Sequence, residues 1–379
     1  MAIKMKRRAR AAIHRSITYP WFSIELLPVP PVEKDTGLIK VELAGICGSD
    51  IGSIEKDTLR RELPPAPSVE GHEIVGTIVE LGEDLNEDSA GNPISIGDRV
   101  VLMAPIPCGR CYYCTKVKEP SLCLKRKYYG GGMRSDQYPY LVGGFAEYLY
   151  LVNRASFIKI RKEIPLTISL LPACALRTVL HGIDLIDGIE IESRVVVQGV
   201  GSLGLMAIVL AKESGAKTII AIGGPKPRLE LALELGADHV IDICDVDDPT
   251  DRVKKVKHLT DDYGADLAFC CTSSSSAVLE GLKMLRSGGQ YIICGYPGQI
   301  KIDWAADVVK RGIRIFGVRS SEARHLMQGV ELIETKWNKY KFEKVVSHIF
   351  PLEKINEAFK AALNQEVIKA AIKPYIESA

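Results

Sequence analysis

The sequence lacks the features of a membrane-spanning or secreted protein, and it has almost no net charge. No apolar run reaches the roughly 20 residues that a membrane-spanning helix needs. The basic start at residues 1–10 is not followed by the apolar core of a secretory signal. With 49 Lys and Arg against 47 Asp and Glu, the net charge of +2 creates no strong field toward nucleic acid or an anionic membrane. We therefore expect a cytoplasmic protein that binds neither nucleic acid nor membranes.

Composition and length indicate a globular protein with more than one core. Hydrophobic residues make up 46% and charged residues 25% of the chain, which are ordinary values for folded proteins and exclude global disorder. The 379 residues exceed the ~250–300 at which a single hydrophobic core stops growing.

Two different patterns divide the chain. Up to about residue 165, short β-rich runs at 38–43, 74–80 and 99–102 are separated by glycine-containing turns, which predicts a β-rich, barrel-like domain. From near residue 172, strand-like and helix-like segments alternate. Six short apolar strands are predicted at 195–198, 218–222, 239–242, 265–271, 290–294 and 313–317. This alternation predicts a doubly wound parallel sheet and an α/β fold class.

Four of the ten cysteines are crowded into one short segment with the spacing C-x2-C-x2-C-x8-C: Cys108, Cys111, Cys114 and Cys123. Disulfide-rich scaffolds are typical of short secreted chains, so this crowding favours a metal site. Four thiolates complete the tetrahedral shell of a structural zinc ion and leave no open position. An iron–sulfur cluster is the alternative, but a C-x3-C-P ending is absent. The segment therefore predicts structural zinc.

The first strand of the alternating part leads directly into the pattern G-x-G-x-x-G, and a helix-like segment follows. The pattern consists of Gly199, Val200, Gly201, Ser202, Leu203 and Gly204. The first glycine permits a tight turn, the second lets the backbone approach a pyrophosphate, and the third lets the helix pack on the strand. The N-terminus of that helix attracts phosphate groups. In this context the pattern predicts a dinucleotide-binding site.

The end of the second predicted strand bears on which dinucleotide binds. Domains that bind NAD usually carry an acid there, which binds the ribose hydroxyls. This sequence has no carboxylate at that point and continues through Gly223 and Gly224 to Lys226 and Arg228. The glycines leave room for a 2′-phosphate that the basic side chains could neutralise, so the sequence slightly favours NADP over NAD.

Three further candidate metal ligands lie far apart along the chain: Cys47, His72 and Cys174. Two thiolates and one imidazole form a known catalytic zinc set, which leaves one position open for water or substrate. Each residue by itself is more often structural, and their spacing does not bring them together.

The chain resembles zinc-dependent medium-chain alcohol dehydrogenases over nearly its whole length. The resemblance is carried by GICGSD at 45–50, GHE at 71–73, GDRV at 97–100, the four-cysteine loop, GFAEY at 144–148 and the glycine turn. It implies a GroES-like catalytic domain with both zinc sites at 1–167, a Rossmann NAD(P)-binding domain at 168–336, and a return to the catalytic domain at 337–379. It also implies a homo-oligomer, either a dimer or a tetramer.

The resemblance implies roles for individual residues around a catalytic zinc ion. Cys47, His72 and Cys174 match its ligands, Asp50 matches a carboxylate that orients the histidine, and Glu73 matches a second acid near the metal.

Ser49 matches a hydroxyl that relays the substrate proton, whereas Gly52 stands where many relatives carry a histidine that passes this proton outward. On the cofactor side, Thr178 matches a residue packed against nicotinamide and Lys369 a basic residue near the phosphates. Cys294 and Gly295, at a later strand end, are also expected to contact the cofactor.

The implied function is hydride transfer between a primary or secondary alcohol and NAD(P)+, which gives an aldehyde or ketone. The first alternative is a polyol, sugar or amino-alcohol dehydrogenase of the same fold. Polyol dehydrogenases usually carry glutamate where this chain has Cys174, which argues mildly against that alternative. A remote alternative is a non-catalytic cofactor-binding protein, but all three ligands are present.

Overall fold

The computed structural model describes residues 7–54 and 67–375, so part of the basic start, residues 1–6, lies outside it. The chain divides into two compact units. Unit 1 comprises Met1–Cys174, Glu322–Trp337 and Val346–Ala379, and unit 2 comprises Ala175–Ser321 and Asn338–Val345.

The first part of unit 1 is rich in short strands, as the sequence pattern predicts. Its elements are β1 (Arg8–His14), β2 (Phe22–Pro28), β3 (Gly37–Gly45), α1 (Gly48–Ile54), β4 (Ser68–Val69), β5 (Glu73–Leu81), β6 (Arg99–Leu102), β7 (Pro105–Ile106), β8 (Lys127–Tyr128), β9 (Tyr148–Leu151), β10 (Phe157–Lys159) and α2 (Leu166–Ser169).

Unit 2 alternates strands and helices, again as predicted. Its elements are α3 (Ala175–Asp184), β11 (Arg194–Gln198), α4 (Ser202–Glu213), β12 (Thr218–Gly223), α5 (Lys226–Glu234), β13 (His239–Asp242), α6 (Pro249–His258), β14 (Ala265–Cys270), α7 (Ser275–Met284), β15 (Leu285–Ile293) and β16 (Arg314–Gly317). The chain then returns to unit 1 with α8 (Ala323–Lys336), β17 (His348–Pro351), α9 (Ile355–Leu363) and β18 (Ala370–Lys373).

The main sheet of unit 1 joins the beginning of the chain to its end. Its strand order is β10-β6-β5-β3-β18-β17, with β9 also paired to β3. Strands β18 and β3 run antiparallel, with Ala371 opposite Gly45. Phe359 of α9 packs against Phe22 and Phe145 at centroid distances of 4.6 and 5.7 Å. This pairing brings the residues just before β18 next to the end of β3.

The sheet of unit 2 is parallel, in the order β13-β12-β11-β14-β15-β16. Its central strand β11 is buried over Val195–Val197, and α4 is apolar and buried over nearly its whole length. Strands and helices covered on both faces read as continuous apolar runs, which is why the pattern was visible in the sequence. The order reverses at β11, and the predicted doubly wound sheet is confirmed.

One helical stretch, Leu166–Asp184, has the length and hydropathy of a membrane span. In the structure, 67% of its apolar window is buried inside the protein. Such burial is typical of the core helix of a globular protein.

Candidate active site and metal centres

Three predicted metal ligands converge in unit 1, although the chain brings them from different elements. Cys47 directly precedes α1, His72 directly precedes β5, and Cys174 follows a short 3-10 turn over Leu171–Ala173. Their donor atoms and a carboxylate oxygen of Glu73 all lie within 4.8 Å of one another. Two sulfurs and one imidazole at this separation fit a zinc ion.

Asp50 holds two of these ligands and is itself fully buried. Its Oδ1 accepts a hydrogen bond from His72 Nδ1 at 2.9 Å, and its Oδ2 accepts one from the Cys47 backbone N–H at 2.8 Å. With Nδ1 bonded to the carboxylate, His72 presents Nε2 to the metal position. A carboxylate behind a ligating histidine fixes the ring and raises its basicity.

The thiols and the imidazole influence each other's protonation. A hydrogen bond from Cys174 and the adjacent His72 hold the pKa of Cys47 well below its ordinary value, despite burial. The same contact with Cys47, together with burial, raises the pKa of Cys174. Burial acts to lower the pKa of His72, but the charges of Asp50 and Cys47 outweigh it and raise that pKa. These shifts in pKa favour a thiolate at Cys47 beside the imidazole of His72.

Glu73 and Lys369 form a buried ion pair beside this cluster. Glu73 Oε2 lies 2.5 Å from Lys369 Nζ, and the two side chains are 3% and 5% exposed. The ammonium also donates to the Ile46 carbonyl at 3.3 Å. Burial raises the pKa of Glu73 even though Lys369 opposes it. Lys369 therefore lies in unit 1 next to Glu73, and its predicted contact with cofactor phosphates stays a prediction.

Two residues of α1 concern the predicted proton path. Ser49 is half-buried in the first turn of α1, two positions after Cys47. Gly52 lies further along the same helix, and a Cβ atom there would meet no atom of the described residues within 4 Å.

The four-cysteine loop also forms a closed cluster in unit 1. The four sulfurs lie within 4.8 Å of one another, with Cys111 Sγ 3.5 Å from Cys114 Sγ and 3.7 Å from Cys123 Sγ. These separations are far above the ~2.05 Å of a disulfide bond. They approach the ~3.8 Å between sulfurs at the corners of a zinc tetrahedron with Zn–S bonds of ~2.3 Å. The backbone N–H of Arg110 helps to lower the pKa of Cys108 to about 6, which favours a thiolate ligand.

The glycine turn lies at the carboxyl edge of the parallel sheet in unit 2, between β11 and α4. Gly199 has φ +92° and donates its N–H to the Ile222 carbonyl at 2.8 Å. A Cβ atom on Gly204 would overlap the Gly199 carbonyl, whereas one on Gly201 would meet nothing within 4 Å. Helix α4 begins at Ser202, directly after Gly201, and Leu203 is its second residue. The first N–H groups of a helix have no partner within the helix, so they are available to a ligand next to Gly201. This geometry fits a dinucleotide pyrophosphate.

The other predicted cofactor residues of unit 2 occupy several positions. Gly223 ends β12 and Gly224 follows it, Lys226 is exposed, and Arg228 is half-buried, where burial lowers the pKa of its guanidinium. Thr178 lies in α3 and is 9% exposed.

Cys294 and Gly295 follow β15 at the same sheet edge as the glycine turn, and both backbone N–H groups donate to the Cys270 carbonyl. Sequence reasoning missed Asp242, which ends β13 in register with Gly223.

Comparisons with known proteins agree with this geometry. The family model of the alcohol dehydrogenase GroES-like domain matches residues 33–162, and that of the zinc-binding dehydrogenases matches residues 202–335. An L-threonine 3-dehydrogenase from Bacillus licheniformis is 30% identical over 357 residues, which cover 94% of this chain and 96% of that protein.

Two further proteins are similar over most of their length. A 5-exo-hydroxycamphor dehydrogenase from Pseudomonas putida is 31% identical over 362 residues, with 94% of this chain and 96% of that protein covered. The crystal structure of an alcohol dehydrogenase from Thermotoga maritima superimposes with a TM-score of 0.89 at 28% identity, with 97% and 100% of the two chains covered.

A GroES-like β-rich unit and a Rossmann-like parallel sheet, combined with a cluster of two cysteines and one histidine, define a zinc-dependent dehydrogenase. The chain belongs to the zinc-dependent medium-chain dehydrogenase/reductase family. It is an oxidoreductase that uses zinc and NAD(P) and acts on a small-molecule alcohol or carbonyl compound. The predicted family, fold class and enzyme class are confirmed.

Proposed function

We propose that the enzyme oxidises a secondary alcohol to a ketone, reversibly, at the Cys47–His72–Cys174 cluster. The observation that carries this proposal is the convergence of those three donors around a single position, with Asp50 bonded to two of them. The compounds in the names of two relatives, L-threonine and 5-exo-hydroxycamphor, are both secondary alcohols, which supports the substrate class.

The proposed chemistry divides between the cofactors and the residues of this chain. Zinc held by the cluster would act as a Lewis acid and lower the pKa of a coordinated hydroxyl, and bound NAD(P)+ would supply the hydride acceptor. Cys47 and Cys174 hold the metal as thiolates whose two charges balance a divalent ion. His72 binds through Nε2 because Asp50 holds Nδ1. The buried Lys369 balances the charge of Glu73, so this acid adds no uncompensated charge beside the substrate.

Ser49 is the proposed first acceptor of the substrate proton, at its Oγ. It lies two positions after a metal ligand, at the start of α1. Because Gly52 carries no side chain to receive the proton next, the proton would leave Ser49 through a ribose hydroxyl of the bound cofactor and water, or through another group.

The four-cysteine loop is the proposed site of a second, structural zinc ion. We also propose a GroES-like catalytic domain at 1–167, a Rossmann domain at 168–336 and a return to the catalytic domain at 337–379. The proposed protein is a homo-oligomer in the cytoplasm. The predicted preference for NADP depends on Lys226 and Arg228 and stays a prediction, whereas the surroundings of Asp242 favour NAD.

An amino-alcohol dehydrogenase of the same fold is the second candidate. It is favoured by the similarity to L-threonine 3-dehydrogenase along nearly the whole chain. A substrate with an ammonium group next to the reacting carbon would distinguish the two functions.

Turnover measured by nicotinamide absorbance tests the proposed function. We expect 2-butanol to be oxidised with a kcat/KM at least about tenfold above that of 1-propanol, which lacks one methyl group on the reacting carbon, since one methyl group in a fitted pocket changes this ratio by ~10–200-fold. Polyols, sugars and L-threonine complete the panel, with NAD+ and NADP+ in parallel. L-Threonine as the best substrate would favour the second candidate. Full activity after complete removal of zinc by a chelator would contradict the proposed mechanism.

The glycine turn allows a test of cofactor binding that leaves the fold intact. Gly201 has φ −79° and ψ −172°, and a Cβ atom there meets no neighbour, so Gly201→Ala should fold normally. The added methyl group would occupy the space for the pyrophosphate. We expect the Kd for the reduced dinucleotide to rise about 10–100-fold, equivalent to ~1.4–2.8 kcal/mol, as measured by fluorescence titration. Ser214→Ala is the control, because Ser214 lies at the C-terminal end of α4, opposite to the glycine turn. Gly188→Ala is less suitable because Gly188 has φ +102°. An unchanged Kd would exclude a pyrophosphate at this turn.

A further inference from the structure

The Rossmann unit lacks an acid at the end of its second strand, where domains of this type bind the adenosine ribose. Strand β12 ends at Gly223, where a side chain would crowd Val200. A Cβ atom on Gly223 would lie 2.7 Å from Val200 Cγ2 and 3.2 Å from the Val200 backbone nitrogen. The glycine turn thus packs so closely on the end of β12 that a carboxylate at this position would require Val200 to shift.

A carboxylate on the neighbouring strand lies close to the end of β12. Asp242 is the last residue of β13 and pairs in register with Gly223, so their backbones are separated by the ~4.8 Å between adjacent strands. A Cβ atom on Gly224 would lie 3.8 Å from Asp242 Oδ1. The Asp242 carboxylate therefore borders the space that a longer side chain at position 224 would fill.

Two hydrogen bonds donated by backbone N–H groups fix the position of Asp242. Ile243 donates its N–H to the Gly223 carbonyl at 3.0 Å, which ties the end of β13 to the end of β12. The Cys244 N–H donates to Asp242 Oδ1 at 2.8 Å. Among the residues that the structure describes, none donates a hydrogen bond to Oδ2, so this oxygen is available to a ligand hydroxyl.

We propose that Asp242 binds the adenosine ribose hydroxyls and makes the enzyme prefer NAD to NADP. A half-buried carboxylate accepts hydrogen bonds from a ribose 2′-hydroxyl, and it repels the 2′-phosphate of NADP. Lys226 opposes this preference only weakly, because its side chain is exposed and its charge is screened by water. This inference rests on the proposed use of a nicotinamide dinucleotide by unit 2.

Binding of NADH and NADPH, measured by calorimetric titration of the zinc-loaded protein without substrate, tests the proposal. We expect the unmodified protein to bind NADH at least about tenfold more tightly than NADPH, the range that a hydrogen bond to a charged group supplies. Asp242→Asn keeps the size of the side chain and the oxygen that accepts from Cys244. It should weaken NADH binding and strengthen NADPH binding, so that the ratio of the two Kd values falls at least about tenfold.

Asp245→Asn is the matched control, because it removes an equal charge from an exposed side chain in the same loop. It should leave the ratio of the two Kd values within about twofold of the unmodified protein, because an exposed charge is largely screened. An equal shift in both variants would overturn the role of Asp242 and assign the preference to the general charge of the loop. Tighter binding of NADPH by the unmodified protein, or an unchanged ratio in Asp242→Asn, would also overturn it. If neither NADH nor NADPH bound the unmodified protein, the proposed function itself would be overturned instead.

Discussion

Replacing Cys47 by alanine is expected to abolish turnover and to remove one of the two zinc ions that we propose for each chain. Cys47 supplies a thiolate whose pKa is already low in the folded protein, and His72 and Cys174 alone leave the metal with too few ligands. Loss of a Lewis acid that contributes several kcal/mol to the transition state lowers kcat by at least about a thousandfold. Initial rates combined with zinc content by atomic emission measure both effects.

The control for this substitution must separate loss of metal from loss of the fold. Cys47 precedes α1 and is only half-buried, so alanine leaves a small gap. The glycine turn belongs to the other unit, and Cys47→Ala should therefore bind NADH as the unmodified protein does. Cys244→Ala removes an exposed thiol outside both clusters and should retain both zinc ions. Turnover above about a tenth of the original value in a Cys47→Ala protein with one zinc ion would exclude this cluster as the catalytic centre.

The fold could be predicted largely from periodicity, because both of its patterns are local. Strands β6 and β13 lie at 99–102 and 239–242, as the sequence pattern indicates. Strand β15 is longer than the predicted 290–294, since it begins at Leu285. Its first half contains Arg286 and two glycines, Gly288 and Gly289, which weaken the strand signal, and the ladder with β14 is irregular there between Leu285 and Gln290.

The residues of the candidate site could not be predicted from hydrophobic periodicity. The crowded cysteines and the glycine turn are local motifs, and both could be recognised from spacing alone. Cys47, His72 and Cys174 meet only because β3 pairs with β5 and a 3-10 turn returns to them, so the resemblance to a family was needed to group them. Asp242 was missed because its position beside Gly223 depends on the register between two parallel strands. That register cannot be inferred from the sequence of either strand.

Replacing Cys111 by alanine is expected to have the opposite effect to Cys47→Ala: a large loss of stability with turnover kept. The four-cysteine loop contacts the rest of unit 1 through Glu322, whose Oε1 accepts a hydrogen bond from the Ser121 N–H at 2.7 Å. The same buried carboxylate caps the N-terminus of α8, where the Glu322 N–H donates to His325 Nδ1. Loss of the metal would release the loop and, with it, one partner of this cap.

The expected size of the effect follows from the chemistry of the loop. Without zinc, the sulfurs of Cys108, Cys114 and Cys123 remain close together but no longer share a metal ion that binds them. Loss of a structural metal belongs to the substitutions that cost more than about 4 kcal/mol, and at ~2–4 °C per kcal/mol Tm should fall by at least about 8 °C. Differential scanning calorimetry measures Tm, and zinc analysis should again find about one ion per chain.

The two cysteine variants together assign each zinc ion to its role, because each serves as the control for the other. Cys47→Ala should lose turnover and keep a Tm within about 2 °C of the unmodified protein, whereas Cys111→Ala should lose stability and keep most of its turnover at 25 °C. Their zinc contents are expected to be equal, so a difference between them cannot come from the number of ions bound. If Cys111→Ala lost turnover as completely as Cys47→Ala while remaining folded, the loop would be needed for catalysis and a purely structural zinc ion would be excluded.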